Sequence, residues 1–177
     1  SIVRITAETL TGIPSIVYGL FGFLLFAVAL GWSYTILGGA MTLAIMILPT
    51  IIGVAESAIN AVPDSYYEGS LALGASHERS VFFATLPAAK SGILAGVILG
   101  VGRAIGETMA VIMVAGNQPR MPKGIFQGIR TMTANIVLEM GYATDLHREA
   151  LIATAVVLFV FILIINLSFS ILKRRSE

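Results

Sequence analysis

Cysteine is absent from the 177 residues of the chain, and charged side chains are scarce. Without cysteine, disulfide bonds and thiolate metal sites are excluded. Charged residues make up 12% of the sequence, against ~25% in ordinary soluble domains, while hydrophobic residues make up 56%. The net charge of +1 gives no reason to expect nucleic-acid binding. This composition is typical of an integral membrane protein.

The sequence also lacks the residue patterns of several enzyme classes. His77 and His147 are far apart, and His77-Glu78 is not followed by a second histidine at the metalloprotease spacing, since position 81 is Val. No nucleophile–base pair or metal-ligand set is apparent, so we expect no cofactor and no metal, and an intramembrane enzyme is the weakest interpretation. A G-x-x-x-x-G-K-[ST] phosphate-binding loop is missing. ATP hydrolysis, if coupled to this chain, would belong to a partner.

Four apolar stretches have the length needed to cross a bilayer, for which about 20 residues suffice. No charge occurs between Glu8 and Glu56, which is too long for one helix, and "GWSYT" at residues 31–35 supplies the break. We predict spans at about residues 12–30, 36–55, 91–115 and 150–172, joined by polar segments at 56–90 and 116–149. The predicted fold class is therefore all-α integral membrane, as a single domain over residues 1–177.

Basic residues at the end of the last span predict an orientation. Lys173, Arg174 and Arg175 favour a cytoplasmic carboxyl terminus under the positive-inside rule. Counting back over the predicted spans, residues 56–90 would be cytoplasmic and residues 116–149 extracytoplasmic. The first residue is Ser, and we expect the chain to begin part-way into a longer protein.

The polar segment 56–90 is predicted to contain two short helices, near residues 65–73 and 77–84, with a break at 74–76. Pro63 and Pro87 occupy positions that suit a helix start and a helix stop. The simplest interpretation is an ordinary cytosolic loop with two surface helices. The alternative is a device that docks a partner, because a short helix with apolar anchors can insert into a groove. The candidate anchors are Leu71, Leu73, Val81, Phe82 and Phe83.

Spacing within this segment resembles the cytoplasmic signature of ABC importer permeases, which is Glu-Ala-Ala, three residues, Gly, nine residues, Ile, one residue, Leu-Pro. Glu68, Gly74, Leu86 and Pro87 fall at matching positions. Gly69 and Ser70 replace the two alanines and Ala84 replaces the isoleucine, and all three are small. The resemblance implies that an ATP-binding subunit docks here, on Glu68, Gly69, Ser70, Gly74, Ala75, Leu86 and Pro87.

Two full charges, Arg103 and Glu107, lie inside the third apolar stretch. On one continuous helix they would share a face with three glycines at four-residue intervals, a pattern that favours close helix packing. The helix-packing glycines are Gly92, Gly96 and Gly100. Each charge at the membrane centre costs roughly 2.5–3.5 kcal/mol, and such groups usually mark a substrate path. An intrahelical salt bridge that merely fixes packing is the alternative.

Two stretches carry a closer resemblance. "GRAIGETMAVIMVAGN" (residues 102–117) and "ETLTGIPSIVYGLFG" (residues 8–22) are similar to the phosphate-importer permeases of the PstC type. That resemblance implies the MetI-like fold, location in the cytoplasmic membrane, and import of inorganic phosphate. It also implies four kinds of partner: membrane lipid, a PstA-type second permease, two PstB-type ATP-binding subunits, and an extracytoplasmic PstS-type phosphate-binding protein. Functional Arg and Glu residues of the family correspond here to Arg103 and Glu107.

From the chemistry of these two groups we predict a division of roles. The guanidinium of Arg103 is permanently charged and offers a planar fork to phosphate oxygens, whereas Glu107 would hold Arg103 in place and compete with the anion. Two alternatives remain open. The same fold could import another solute, such as sulfate or molybdate, or the chain could be an ATP-independent channel or scaffold.

Overall fold

The computed structural model describes the backbone of residues 2–176 and the side chains of residues 5–169 and 171. Within these residues the chain is helical, without a strand, and the predicted all-α class is confirmed. An isolated bridge joins Gly116 to Ile129. The helices are α1 (Ile2–Thr11), α2 (Ser15–Gly22), α3 (Ile36–Asn60), α4 (Asp64–Ala72), α5 (His77–Ser80), α6 (Leu86–Ala88), α7 (Lys90–Gly106), α8 (Met109–Val114), α9 (Met132–Glu139) and α10 (Asp145–Ser176).

Two of these helices, α3 and α10, are long and apolar enough to cross a membrane, with mean hydropathies of 2.1 and 2.9. Two bent pairs raise the number to four if each pair is one span. Residues 5–11 and 15–29 meet at 96°, and residues 77–88 and 90–106 meet at 64°. The predicted orientation rests on Lys173, Arg174 and Arg175, whose side chains lie outside the described residues.

The predicted first span, 12–30, begins later than expected and is preceded by a separate helix. Pro14 precedes α2, and the sharp bend isolates α1, which the sequence analysis did not predict. After Gly22 the chain winds more widely, as a π-helical segment Phe23–Ala29, in which the Leu30 N–H donates to the Leu25 carbonyl at 3.0 Å. Residues 15–29 qualify as a candidate membrane span only together with residues 5–11.

Helix α3 runs unbroken for 25 residues, through Pro49, and outlasts the predicted 36–55. Its length is ~37 Å at 1.5 Å per residue, more than the ~30 Å hydrocarbon core. Thr35 caps its start by accepting a hydrogen bond from the Gly38 N–H at 3.0 Å. The carbonyls of Gln127 and Ile125 accept two further N–H groups of the first turn, so the loop after α8 lies against this end of α3.

Helices α7 and α3 pack against each other in antiparallel orientation. A Cβ at Gly100 would come 2.7 Å from Ile51 Cγ1, and one at Gly96 would come 3.1 Å from Val54 Cβ. A Cβ at Gly92 would overlap the Ala58 side chain. The structure thus places all three glycines of the predicted packing face where the side chains of α3 occupy the space of a Cβ.

The third span differs from the prediction. A single helix over residues 91–115 is wrong, because α7 ends at Gly106 and α8 starts at Met109. Glu107 between them is extended, with φ −69° and ψ 133°. Glycine is a poor helix former, and Gly106 ends α7 at a point where the side chain of Glu107 can take over capping of the next helix.

The predicted polar segment 56–90 forms two short helical arms, which we call the α4–α6 hairpin (residues 64–88). Pro63 precedes α4, and Gly74, with φ 86°, makes the turn that no larger residue adopts easily. The second arm is α5, a π-helical segment Val81–Thr85, and α6. Helix α9 lies inside the predicted polar segment 116–149, and α10 extends on both sides of the predicted 150–172.

A small core forms where α2, α3 and α8 meet, around Tyr18, Met46 and Ala110. Gly19 makes this packing tight, because a Cβ there would come 2.8 Å from the Ala110 Cα, a backbone atom that cannot rotate away.

We therefore expect Gly19→Ala to lower the free energy of unfolding by about 1–3 kcal/mol, as overpacking does. Gly53→Ala is the matched control, since a Cβ at Gly53 meets nothing within 4 Å, and alanine favours the helix by about 0.5–1 kcal/mol. Thermal unfolding of the purified protein in detergent measures both. Equal midpoints for the two variants would contradict the packing.

Candidate substrate-path site

At the break between α7 and α8, the side chain and the carbonyl of Glu107 both accept hydrogen bonds. The Ala110 N–H donates to Oε1 of Glu107 at 3.1 Å, so this carboxylate caps the start of α8. The Thr133 hydroxyl donates to the Glu107 carbonyl at 3.2 Å and attaches α9 to the break. Since unpaired backbone groups are costly away from water, these bonds allow the chain to break within an apolar region.

Arg103 lies in the last turn of α7 and its side chain is exposed. Nη1 donates to the Thr50 hydroxyl on α3 at 3.4 Å, which is a long hydrogen bond. Within the described part of the chain this is its one polar contact, and a guanidinium has five N–H donors. Most of its hydrogen-bonding capacity is therefore available to a ligand.

The hypothesis that Glu107 holds Arg103 is corrected by this geometry. The two side chains form no ion pair among the described residues, although four positions separate them in the sequence. Because α7 ends at Gly106, Glu107 leaves the helical face on which Arg103 lies. One of its carboxylate oxygens is engaged by the Ala110 N–H.

Thr50 shows how deep Arg103 lies along the apolar helices. It precedes the end of α3 at Asn60 by ten residues, which corresponds to ~15 Å along the axis. Arg103 is therefore near the middle of the α3 span, where an ionised group is most costly.

A cleft between α7 and α10 opens beside Arg103, with a volume of about 540 Å³. Its lining is Ala95, Ile98, Leu99, Gly102, Arg103, Asn166 and Phe169. Asn166 was missed in the sequence analysis, although an amide in an otherwise apolar span is itself a signal. Gly102 of α7 faces it, since a Cβ there would lie 3.7 Å from Asn166 Oδ1, an ordinary contact distance. Arg103 thus shares this cleft with an amide of α10 and donates a hydrogen bond to a hydroxyl of α3.

The signature positions lie together on the α4–α6 hairpin. Glu68, Gly69 and Ser70 are on α4, Gly74 and Ala75 form the turn, and Leu86 and Pro87 are on α6. Ser70, where the signature has alanine, accepts a hydrogen bond from the fully buried Ser80 at 3.0 Å, and Tyr67 pairs with His77 at 2.7 Å. These bonds join the two arms.

The hairpin carries large apolar side chains that are mostly exposed. Leu73 is 91% exposed, Phe83 79% and Phe82 62%. Exposed apolar clusters of this kind mark interaction sites. Of the two other predicted anchors, Leu71 is 39% exposed and Val81 is half-buried.

A polar cluster, which we call the α9 clamp (Arg130, Glu139, Tyr142, His147), lies in the segment between α8 and α10. Arg130 donates to Glu139 Oε1 at 2.6 Å and to the Asn117 carbonyl at 3.0 Å. His147 Nε2 lies 3.7 Å from Glu139 Oε2. A hydrogen bond from the Tyr142 hydroxyl, followed by Arg130, lowers the pKa of Glu139. The clamp ties the loop, α9 and the start of α10 together.

Comparison with known proteins identifies the family. Residues 1–177 match the family model described as the binding-protein-dependent transport system inner membrane component. The chain belongs to this family. The resemblance to ABC importer permeases with the MetI-like fold is thereby confirmed. No solved structure matches the chain.

Some relatives of the chain are named only as probable ABC transporter permeases, and others are named as phosphate transport permeases. Two Bacillus subtilis proteins, "Probable ABC transporter permease protein YqgI" and YqgH, are each 37% identical to it, over 94% and 90% of the chain. The "Phosphate transport system permease protein PstC" of Mesorhizobium japonicum is 33% identical over 92% of the chain. The aligned parts make up 61%, 55% and 58% of these three relatives, so the chain spans about three fifths of their length.

The α9 clamp predicts a pH dependence of stability. Because the folded protein holds the pKa of Glu139 below its ordinary value of 4.5, the stabilisation is present above that pH and is lost as the pH falls through the lowered pKa. We expect Glu139→Gln to unfold at a lower temperature than the parent above pH 4.5, and the difference to vanish in more acidic buffer.

Thermal unfolding in detergent at a series of pH values measures this difference. Glu149→Gln is the matched control, because Glu149 is exposed on α10. A pH-independent difference for Glu139→Gln would show that the carboxylate charge does not stabilise the clamp.

Proposed function

We propose that the chain is the permease part of an ATP-driven importer that carries inorganic phosphate across the cytoplasmic membrane. An extracytoplasmic binding protein would deliver the anion, and a second permease and two ATP-binding subunits would complete the complex. The observation that carries the proposal is the exposed guanidinium of Arg103, beside an open cleft near the middle of the α3 span.

The position of Arg103 favours an anion as cargo. Its charge costs several kcal/mol at this depth, and a passing anion offsets part of that cost while it binds. A planar guanidinium matches two phosphate oxygens at once. Several relatives named as PstC phosphate permeases add support.

The weak hold on Arg103 suits transport better than storage. Binding in a transport path must be favourable enough for entry and weak enough for release. A single 3.4 Å bond to Thr50 lets the guanidinium turn towards the anion and back. Discontinuous helices at mid-membrane are common at transporter substrate sites, and Glu107 serves by stabilising the break after α7 rather than by pairing with Arg103.

The α4–α6 hairpin supplies the link to ATP hydrolysis. Its exposed Leu73, Phe82 and Phe83 would enter a groove on an ATP-binding subunit on the cytoplasmic side. Movement of that subunit would reach the site directly, because the second arm of the hairpin leads into α7, which carries Arg103.

Arg103→Gln tests the role of the guanidinium. We expect uptake of labelled phosphate by proteoliposomes holding the full complex to fall at least about tenfold, the effect of losing one charge-assisted hydrogen bond. Uptake by the Arg103→Lys complex, which keeps the charge but not the planar guanidinium, should lie between that of the parent and that of Arg103→Gln. Arg148→Gln, at the exposed start of α10, is the matched control. Undiminished uptake in an Arg103→Gln complex that assembles would refute this role.

Phe83→Ala tests the docking surface. We expect co-purification of the ATP-binding subunit to weaken, since truncating an aromatic anchor at an interface costs about 2 kcal/mol or more. Phe159→Ala on α10 removes an aromatic side chain of similar exposure, 66% against 79%, and should have no effect. Equal subunit recovery from both variants would place the ATP-binding subunit elsewhere.

A further inference from the structure

A second cavity, about 390 Å³ in volume, lies between α1 and α3. We call it the α1–α3 crevice. Its polar lining consists of Glu8 and Thr11 from α1, with Thr50, Glu56, Ser57 and Asn60 from α3. None of the residues assigned above to the hairpin or to the α7–α10 cleft lies in it.

The crevice follows a polar stripe along half of α3. Thr50, Gly53, Ser57 and Asn60 recur at intervals of three and four residues, so they share one face of the helix. Polar groups within a membrane span face protein or a water-filled cavity rather than lipid. The stripe therefore indicates that water reaches this face of α3 from the end of the helix at Asn60.

Thr50 connects the crevice to the candidate site. Its hydroxyl lines the crevice and also accepts the hydrogen bond from Arg103. From Thr50 to Asn60 the stripe covers ~15 Å, about half of the ~30 Å hydrocarbon core. Helix α4 of the hairpin begins at Asp64, shortly after Asn60. The crevice thus leads from Arg103 to the hairpin end of the molecule.

Glu56 gives the crevice an unusual chemistry for an anion path. Within the described part of the chain its carboxylate forms no ion pair and no hydrogen bond, and it can only accept hydrogen bonds when ionised. It repels a fully ionised anion. An anion that keeps a proton can donate a P–OH hydrogen bond to it, while the hydroxyls of Thr50 and Ser57 donate to the other oxygens of the anion.

We propose that the α1–α3 crevice is the release half of the phosphate route, from Arg103 to the hairpin side, and that Glu56 selects hydrogen phosphate there. At neutral pH inorganic phosphate retains at least one proton, whereas sulfate retains none and is repelled. The inference rests on the proposed function, and it adds the exit path and the basis for choosing between two oxyanions.

Gly53→Leu tests the path. Gly53 lines the crevice, and a Cβ there meets nothing within 4 Å, so the backbone position accepts a side chain that would occupy the crevice. We expect phosphate uptake by the reconstituted complex to fall to background. Ala44→Leu adds the same bulk at an exposed position of α3 outside the crevice and should transport normally. Normal uptake by Gly53→Leu overturns the path, whereas absence of uptake by the parent complex overturns the proposed function instead.

A labelling experiment tests the path even if the leucine variant does not assemble. Ser57→Cys introduces a thiol into a chain that has none. In a complex whose other subunits are cysteine-free, an anionic thiosulfonate reagent should modify it from the hairpin side, and inorganic phosphate should slow the reaction. Failure of the reagent to reach the thiol shows that the crevice is closed to aqueous anions.

Glu56→Gln tests selection. The amide keeps the shape of the side chain but removes its negative charge, one of the two carboxylates that line the crevice, and gives it N–H groups that can donate to sulfate. We expect unlabelled sulfate to compete with labelled phosphate at least about tenfold better than in the parent, the worth of one charge-assisted hydrogen bond. An unchanged competition ratio, in a variant that still transports phosphate, overturns the role of Glu56.

Discussion

Close contact between α3 and α7 sets the position of Arg103 relative to Thr50 at the candidate site. Three glycines of α7 lie where side chains of α3 fill the space that a Cβ would need, so the two helices pack more closely than larger residues would allow. This packing brings Arg103 beside Thr50 in mid-span. Larger residues at the glycines would separate the helices and leave the guanidinium without its one hydrogen bond in the described chain.

The second constraint is that backbone groups in an apolar region need partners. A helix break there is tolerable because Glu107 caps α8 and its carbonyl is bonded to Thr133 of α9. The carboxylate therefore has a structural task, and most donors of Arg103 have no partner among the described residues. The charge that looked like the partner of Arg103 instead makes the break possible.

Much of the fold could be predicted from composition and spacing. The apolar stretches predicted α3 and α10, Pro63 and the break at 74–76 predicted the two arms of the hairpin, and the glycine repeat indicated a packing face. Pro87, predicted as a helix stop, lies inside the second arm on α6. Helix α1 was not predicted, because its ten residues are too few for a membrane span and include several polar ones. Helix α7 was predicted too long because apolar residues resume at Met109, directly after Glu107 and Thr108, so the two helices form one apolar stretch in the sequence.

The sequence by itself determined the helical class, the family, and the presence of two charges in an apolar stretch, since these depend on local composition and motif spacing. Only the tertiary structure decided that Arg103 and Glu107 are separate, and that Thr50 and Asn166 lie with Arg103 instead. The physical reason is distance along the chain. Thr50 and Arg103 are 53 residues apart, and a helical period relates only residues on the same helix.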